Sequence, residues 1–212
     1  MPCLRCPPRG RTVMSSYTIT LNKPAESDYP LFASWWNDHR VADGVRKTLE
    51  QHPLEENEAL FRQWAGNDSA DGFGYAIYNN DGLCVGFISA WGLACGDERD
   101  AQLALIVGPY YQGHGYGSQA LHIALHELAE KLHANTITVH IAAHNLRARH
   151  MFAERGFKEI DRLHHAIERD GKPFDIIVMR AAAQEAVRST WQDNPYDDTV
   201  QLIPRRNIFR VE

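Results

Sequence analysis

Three glycines, at positions 113, 115 and 117, are the residues of this chain whose spacing most clearly indicates chemistry. They follow an apolar, strand-like segment that ends at Val107 and precede a segment of helical periodicity that begins at Ser118. Glycine permits sharp turns and lets backbone N–H groups approach a ligand closely. A helix N-terminus adds free N–H donors and the positive end of the helix dipole. The loop from Gln112 to Gly117 is therefore predicted to bind an anion, and a diphosphate fits.

Two other phosphate-binding loops agree less well with these residues. The dinucleotide-binding fingerprint has its third glycine three residues after the second, where this chain has Ser118. The nucleoside-triphosphate loop requires Gly-Lys-Ser or Gly-Lys-Thr, which the sequence lacks. A nucleotide-binding protein that uses the same glycines is thus a less favoured alternative, as is a glycine-rich turn that merely precedes a helix.

The loop resembles the cofactor motif of the GNAT superfamily of N-acetyltransferases, Gln/Arg-x-x-Gly-x-Gly/Ala. A second element of that family, Asn-x-x-Ala followed by Tyr and then Gly-Phe, resembles a segment one helix and one strand further along. The resemblance extends over roughly residues 15–180, and its final hairpin is similar to that of the spermidine and ribosomal-protein N-terminal acetyltransferases. The matching residues of the second element are Asn145, Ala148, Phe152, Gly156 and Phe157.

The resemblance implies acetyl-CoA as co-substrate, and no metal. Backbone groups of the preceding strand would bind the pantetheine arm, the loop amides would bind the pyrophosphate, and the Asn145 side chain would bond the arm from the far side. In the family a splayed pair of strands leaves a gap that the cofactor fills. The implied cofactor site comprises Leu105, Ile106, Val107, Gln112, Gly113, His114, Gly115, Tyr116, Gly117, Ser118, Asn145, Ala148 and Phe152.

Acetyl transfer to an amine needs a base, an oxyanion donor and an acid that protonates the departing thiolate. Many family members supply that acid from a tyrosine at the position of Phe152, which has no hydroxyl group. We take Tyr111 as the replacement acid, from a set of nearby donors that stays open: Tyr110, Tyr111, His144 and His150.

His140 is the predicted base, because it lies five residues before Asn145, where some relatives carry Glu, and imidazole exchanges protons near neutral pH. A histidine with a purely structural place in an interior strand is the alternative. Asp97 and Glu98 are weaker candidates that would act through water. Trp36 and Trp91 are predicted to contact the acceptor substrate.

Helical and strand-like patterns alternate along the chain, and these elements must position the site residues. We predict an α/β (α+β) fold of the GNAT type, a mixed, mostly antiparallel sheet of about seven strands flanked by about four helices. Residues 1–14 are expected to form a disordered extension and residues 15–180 the N-acetyltransferase domain. Residues 181–212 are expected to form a C-terminal helix and arm.

The composition is that of an ordinary globular protein. The chain has 212 residues, 44% hydrophobic and 23% charged, with a formal net charge of -5. It offers no basic field for nucleic acid and no apolar run as long as a membrane span, so a cytoplasmic location is expected. A small-molecule or peptide amine is the expected partner, and a homodimer stays open.

The favoured function is an N-acetyltransferase that transfers the acetyl group to a primary amine in a ternary complex. A catalytically weak or inactive acyl-CoA-binding regulatory protein is the alternative. The acceptor stays open among polyamines, antibiotics, amino acids and protein N-termini.

Overall fold

A seven-stranded sheet forms the centre of the fold. A computed structural model describes residues 19–46, 48–66, 71–94 and 98–189. Its strands are β1 (Ile19–Asn22), β2 (Phe73–Asn79), β3 (Cys84–Trp91), β4 (Asp100–Val107), β5 (Thr136–Ala142), β6 (Lys158–Arg169) and β7 (Lys172–Ala182). The seven strands form one sheet in the order β1-β2-β3-β4-β5-β7-β6. Every neighbouring pair is antiparallel except β4 and β5, which are parallel.

Helices cover both faces of this sheet. The described residues form α1 (Tyr29–Asn37), α2 (His39–Val45), α3 (Leu54–Ala65), α4 (Tyr116–His126), α5 (Leu146–Ala153) and α6 (Ala183–Ser189). A π-helical turn, Glu127–Lys131, continues α4. No helix in these ranges is long and apolar enough to cross a membrane.

Alternation along the buried central strand β3 divides the core into two clusters. Phe87 packs on one face against Phe32 of α1 and Phe61 of α3, with ring centroids 5.1 and 5.3 Å apart. Its neighbour Ile88 belongs to the cluster on the other face, together with Leu121 of α4. Successive strand residues point to opposite faces, so one strand holds both helical layers in place.

The predicted fold class is confirmed, and the helix count differs. The sequence predicts about four helices, whereas the described residues contain six. The additional helix α2 is seven residues long and buries only Val41 and Ala42, which is too short for a clear periodicity. Its N-cap is Asp38, whose side chain accepts a hydrogen bond from the Arg40 amide.

The predicted outer segments are described only in part. Helix α6 lies within the segment 181–212 for which a helix and arm were predicted. Residues 190–212 and the predicted extension 1–14 lie outside the described residues.

Candidate functional site

A gap opens where the two parallel strands separate. β4 and β5 are paired only from Asp100 to Gln102, opposite Thr136 to Thr138. β4 then continues to Val107 and β5 to Ala142, each paired only with its other neighbour in the described part of the chain. The result is a V-shaped opening in the middle of the sheet.

Two adjoining cavities occupy this opening. We call one the tryptophan cavity, about 560 Å³, because Trp36, Trp64 and Trp91 line it. The other is the glycine cavity, about 740 Å³, whose lining includes Gly113, Gly115 and Gly117. The residues common to both walls are Gly44, Val45, Leu105, Ile106, Asn145, Ala148 and Met151.

The alternation of β4 decides which of its backbone groups face the gap. The Ile106 carbonyl faces β3, because a Cβ built on Gly86 would lie 2.6 Å from its oxygen. The Val107 carbonyl faces the other way and accepts a bond of 3.3 Å from Gln112 Nε2. By the same alternation the backbone groups of Leu105 are directed toward the gap.

The start of α4 has the features of an anion site. Gly113 and Gly115 adopt left-handed backbone angles, with φ of 84° and 83°. Gly115 is the N-cap and therefore provides no capping side chain. The helical bonds begin with the Gln119 amide, which donates to the Gly115 carbonyl at 3.1 Å. The preceding amides, including those of Gly117 and Ser118, have no acceptor within the helix.

The lack of side chains at these glycines makes room for a ligand to approach the amides. A Cβ built on Gly117 would lie 3.3 Å from a methyl group of Val107, and one on Gly113 would lie 3.3 Å from Arg147 Nη2. The Arg147 guanidinium therefore lies beside the loop and adds positive charge there. Small residues, helix-end amides and a neighbouring cation together suit the diphosphate of CoA.

Arg155 contacts the first turn of α4 but does not line the glycine cavity. Its Nη1 donates to the Met151 carbonyl at 2.9 Å, and its Nη2 donates to the carbonyl and hydroxyl oxygens of Ser118. Burial lowers the pKa of this guanidinium, although the charge of Glu154 opposes the effect. Arg155 thus joins the first turn of α4 to the end of α5.

Most of the predicted cofactor residues line the glycine cavity. His114 is not in its wall: the side chain is exposed, and Nδ1 lies 3.2 Å from the Tyr111 carbonyl. Phe152 lines the tryptophan cavity instead. The predicted residues in the glycine cavity are Leu105, Ile106, Val107, Gln112, Gly113, Gly115, Tyr116, Gly117, Ser118, Asn145 and Ala148.

The Asn145 side chain is engaged within the protein. Its Oδ1 accepts a bond of 3.1 Å from the Ala148 amide and so caps α5. Its Nδ2 donates to the Gly44 carbonyl at 3.5 Å. Asn145 therefore fixes the start of α5 and joins it to the end of α2, at the boundary between the two cavities.

The proposed base, His140, and Phe152, which stands where many family members have tyrosine, line the same cavity. His140 is an exposed residue of β5 opposite Val178 of β7, and its side chain lines the tryptophan cavity. Phe152, 5% exposed, lines the same wall and packs edge-on against Phe157, with centroids 5.1 Å apart. Trp36 and Trp91 are there as well, so the predicted acceptor side and base are brought together. Glu98 lines neither cavity, and Asp97 lies outside the described residues.

The alternative acids lie around the glycine cavity. Tyr111 is half-buried against Trp35, with ring centroids 6.2 Å apart. Tyr110 is 77% exposed and stacks under the Arg40 guanidinium at 4.4 Å. His144 Nε2 lies 3.0 Å from the Asp43 carbonyl and His150 Nδ1 lies 3.3 Å from Glu154.

Arg46 is a charged residue in the wall of the tryptophan cavity that was not among the predicted site residues. The buried Arg46 side chain lines the tryptophan cavity, with its guanidinium 5.9 Å from the Trp36 ring centroid. Burial lowers the pKa of Arg46, and the nearby charge of Arg169 adds to the effect, whereas the charge of Glu50 opposes it. Arg169, also buried, donates to the Arg46 carbonyl at 2.6 Å across 123 residues of sequence. No local pattern in the sequence marks Arg46, because its burial and its position in this wall both depend on the fold.

Comparisons with known proteins agree with this geometry. The acetyltransferase (GNAT) domain matches residues 18–158. No curated protein sequence matches the chain. A protein provisionally described as a phosphinothricin N-acetyltransferase is similar in structure, with a TM-score of 0.68 at 20% identity over 78% of this chain and 99% of that one. A spermidine N-acetyltransferase from Vibrio cholerae, in complex with CoA and spermine, gives a TM-score of 0.70 at 20% identity over 80% and 98% of the two chains.

At this identity the structural likeness establishes a shared fold. The family assignment rests on the domain match, which extends from β1 into β6 and includes the glycine loop, the splayed strands and α5. The chain therefore belongs to the acetyltransferase (GNAT) family, which confirms the enzyme class that its two motifs predicted.

Proposed function

We propose that this chain transfers the acetyl group of acetyl-CoA directly to a primary amine while both substrates are bound. The observation that carries the proposal is the gap between β4 and β5, which joins an anion site at the start of α4 to a cavity lined by His140. A cofactor held by its diphosphate at one end of this opening would have its thioester directed toward the other.

The residues of the glycine cavity fit CoA. The amides of Gly113 to Ser118 would hold the diphosphate, with Arg147 supplying positive charge. The backbone groups of Leu105 that face the gap would bond the pantetheine arm as a neighbouring strand does. Acetyl-CoA supplies a thioester whose carbonyl carbon accepts the amine nitrogen.

His140 is our candidate for the group that removes a proton from the bound ammonium. Amines are largely protonated near pH 7, and only the neutral form attacks. His140 is exposed to the tryptophan cavity, beside the tryptophans that would hold the acceptor. The matched residue Asn145 would keep α5 against the gap through its cap.

Tyr111 is our candidate for the acid that protonates the thiolate. Phe152 packs at the position of the usual tyrosine and has no proton to donate. Tyr111 lines the glycine cavity, on the cofactor side. A thiolate is a fair leaving group, so a modest contribution from the acid is sufficient.

An acyl-CoA-binding protein without turnover is the second candidate function, and Phe152 is the observation that favours it. Calorimetric titration with acetyl-CoA and release of free thiol in the presence of primary amines separate the two. Binding together with amine-dependent thiol release supports the acetyltransferase. Binding without release for every amine supports the regulatory alternative, and absence of binding contradicts both.

A further inference from the structure

The described wall of the tryptophan cavity contains no carboxylate. Among its described lining residues the ionisable ones are Arg46, His52 and His140. The remaining lining residues are apolar, aromatic or neutral polar groups, with Trp36 and Trp64 packed edge to face at a centroid distance of 5.5 Å. A cavity that binds a polycation would be expected to contain an acidic side chain.

The charge of Arg46 is fixed in this wall and faces neutral oxygen atoms. Its Nη1 donates to the Trp36 carbonyl at 3.1 Å and to Asn37 Oδ1 at 3.4 Å, and its Nη2 donates to the Glu50 carbonyl. No ion pair joins Arg46 to a carboxylate within the described ranges. The nearby Glu50 side chain is exposed and lies outside the cavity lining. The described wall of the cavity therefore contains a positive charge but no carboxylate, and the charge of Glu50 acts on Arg46 from outside the lining.

The described carboxylates of the adjoining cavity, Asp43 and Glu154, already have side-chain partners. Asp43 Oδ1 lies 2.9 Å from Arg169 Nε and 3.3 Å from His144 Nε2. Glu154 lies 3.3 Å from His150 Nδ1. A second ammonium group of a substrate would therefore compete with existing partners there.

Aromatic rings can bind a cation by their faces, so the tryptophans need separate consideration. The ring of Trp36 already has the Arg46 guanidinium at 5.9 Å. A substrate ammonium beside this ring would meet a like charge in a partly desolvated space, where repulsion is stronger than in water. The aromatic wall near Arg46 thus favours uncharged rings and alkyl chains.

We infer that the acceptor is a primary amine whose remaining part is uncharged and apolar or aromatic, and that Arg46 excludes a second cation. This inference rests on the proposed function. It separates the chain from the Vibrio cholerae relative whose structure contains spermine.

The same charge assists the chemistry, because a like charge favours the neutral form of the amine that attacks. The nitrogen lone pair forms the bond to the acetyl carbon as the carbon–sulfur bond breaks. Overall, an ammonium ion and acetyl-CoA give the amide, the free thiol and one proton. One ammonium proton goes to the base, the thiolate takes up a proton from the acid, and the second proton that the nitrogen loses as the amide forms restores the acid.

A matched set of amines tests the inference on the unmodified protein. Hexylamine and 1,6-diaminohexane have the same length and differ by one ammonium group, and 2-phenylethylamine adds a ring. We expect kcat/KM for the diamine to be at least about tenfold below that for hexylamine, as repulsion from one fixed cation would produce. 2-Phenylethylamine should react at least as well as hexylamine. Equal or better turnover of the diamine would overturn the inference.

A binding measurement keeps this test separate from the proposed function. Calorimetric titration of the CoA-bound protein with the same amines should give the same order of affinity whether or not turnover occurs. Tighter binding of the diamine contradicts the inference. Loss of turnover with every amine, together with the expected order of affinity, contradicts the proposed function alone.

A substitution in the wall provides an independent test. Thr48 is exposed and lines the tryptophan cavity, so Thr48→Glu adds the missing carboxylate at small cost to folding. We expect the ratio of diamine to hexylamine kcat/KM to rise about tenfold in this variant. Thr48→Gln, which is similar in shape and uncharged, should leave the ratio unchanged. An equal ratio in the two variants would contradict the exclusion by charge.

Discussion

At the residue scale, the site is defined by a phenylalanine at a position where a hydroxyl group would be useful. Phe152 is buried against Phe157 and contributes surface to the tryptophan cavity. Proton transfer must then come from other side chains, and the structure separates the candidates. His140 lines the tryptophan cavity and Tyr111 lines the glycine cavity, so the candidate base and acid lie in different cavities.

Replacing Tyr111 by phenylalanine tests the proposed acid. Tyr111→Phe keeps the ring contact with Trp35 and removes only the hydroxyl group. We expect kcat to fall about tenfold, since a thiolate leaves with modest assistance, and CoA affinity to stay unchanged. Tyr110→Phe is the matched control, because that neighbouring ring is 77% exposed. Equal rates in the two variants would remove Tyr111 from the mechanism.

His140→Ala tests the base. Loss of the imidazole group should lower kcat about 100-fold near neutral pH, while the calorimetric affinity for acetyl-CoA stays within about twofold of the original value. His164→Ala is the control, because His164 is an exposed strand histidine that lines neither cavity. A normal rate for His140→Ala would assign this residue a structural role only.

At the element scale, the start of α4 is where we propose that the cofactor binds. The helix has a glycine N-cap with left-handed backbone angles, and Arg155 ties its first turn to α5. Neither feature depends on the acceptor. Binding of CoA and selection of the amine are therefore expected to respond to different substitutions.

Gly115→Val tests the anion site. The variant combines backbone strain at a φ of 83° with a side chain beside the loop amides, so we expect CoA affinity to fall at least about tenfold. Gly82→Val is the matched control, because Gly82 has a φ of 74° in a hairpin turn and nothing within 4 Å of a built Cβ. Both variants should lose similar stability, measured by thermal unfolding. Unchanged CoA affinity in Gly115→Val would contradict the placement of the diphosphate.

At the scale of the whole molecule, the gap depends on the contacts that join β4 and β5 at the end where these strands are paired. Asp100, at the first paired position of β4 and β5, accepts bonds from Thr136 Oγ1 at 2.7 Å and Thr138 Oγ1 at 3.0 Å. Arg180 of β7 donates to Asp100 at 3.1 Å and to Thr138 at 2.8 Å. Three strands are thereby joined where the V-shaped opening begins.

Asp100→Ala should therefore weaken both the fold and the site. Loss of a carboxylate that accepts several hydrogen bonds is expected to lower the free energy of unfolding by about 2 kcal/mol, measured in urea. Affinity for CoA should fall as well, because the pairing of β4 and β5 that fixes the shape of the gap is weakened. Glu159→Ala, which removes a surface ion pair with Arg162, should cost less than about 1 kcal/mol and leave CoA affinity unchanged. Similar losses in the two variants would contradict a special role for Asp100.

Local patterns in the sequence determined the sheet, most of the helices and the glycine loop. Strand alternation, helical spacing and the positions of Gly113, Gly115 and Gly117 depend on nearby residues, so they can be read along the chain. The two family motifs predicted the cofactor site for the same reason. Helix α2 was not predicted, because a seven-residue helix with two buried positions has no clear period.

Only the tertiary structure decided the shape and charge of the tryptophan cavity. Its wall combines segments from β3, β4, β5, α1, α2, α3, α5 and the chain after α2. Arg46 is positioned by Arg169, 123 residues away, and Asn145 meets Gly44 across 101 residues. Which side chains face a cavity depends on such long-range contacts, and no local pattern specifies them. The sequence thus predicted where the cofactor would bind, and the folded chain showed which charged side chains line the tryptophan cavity.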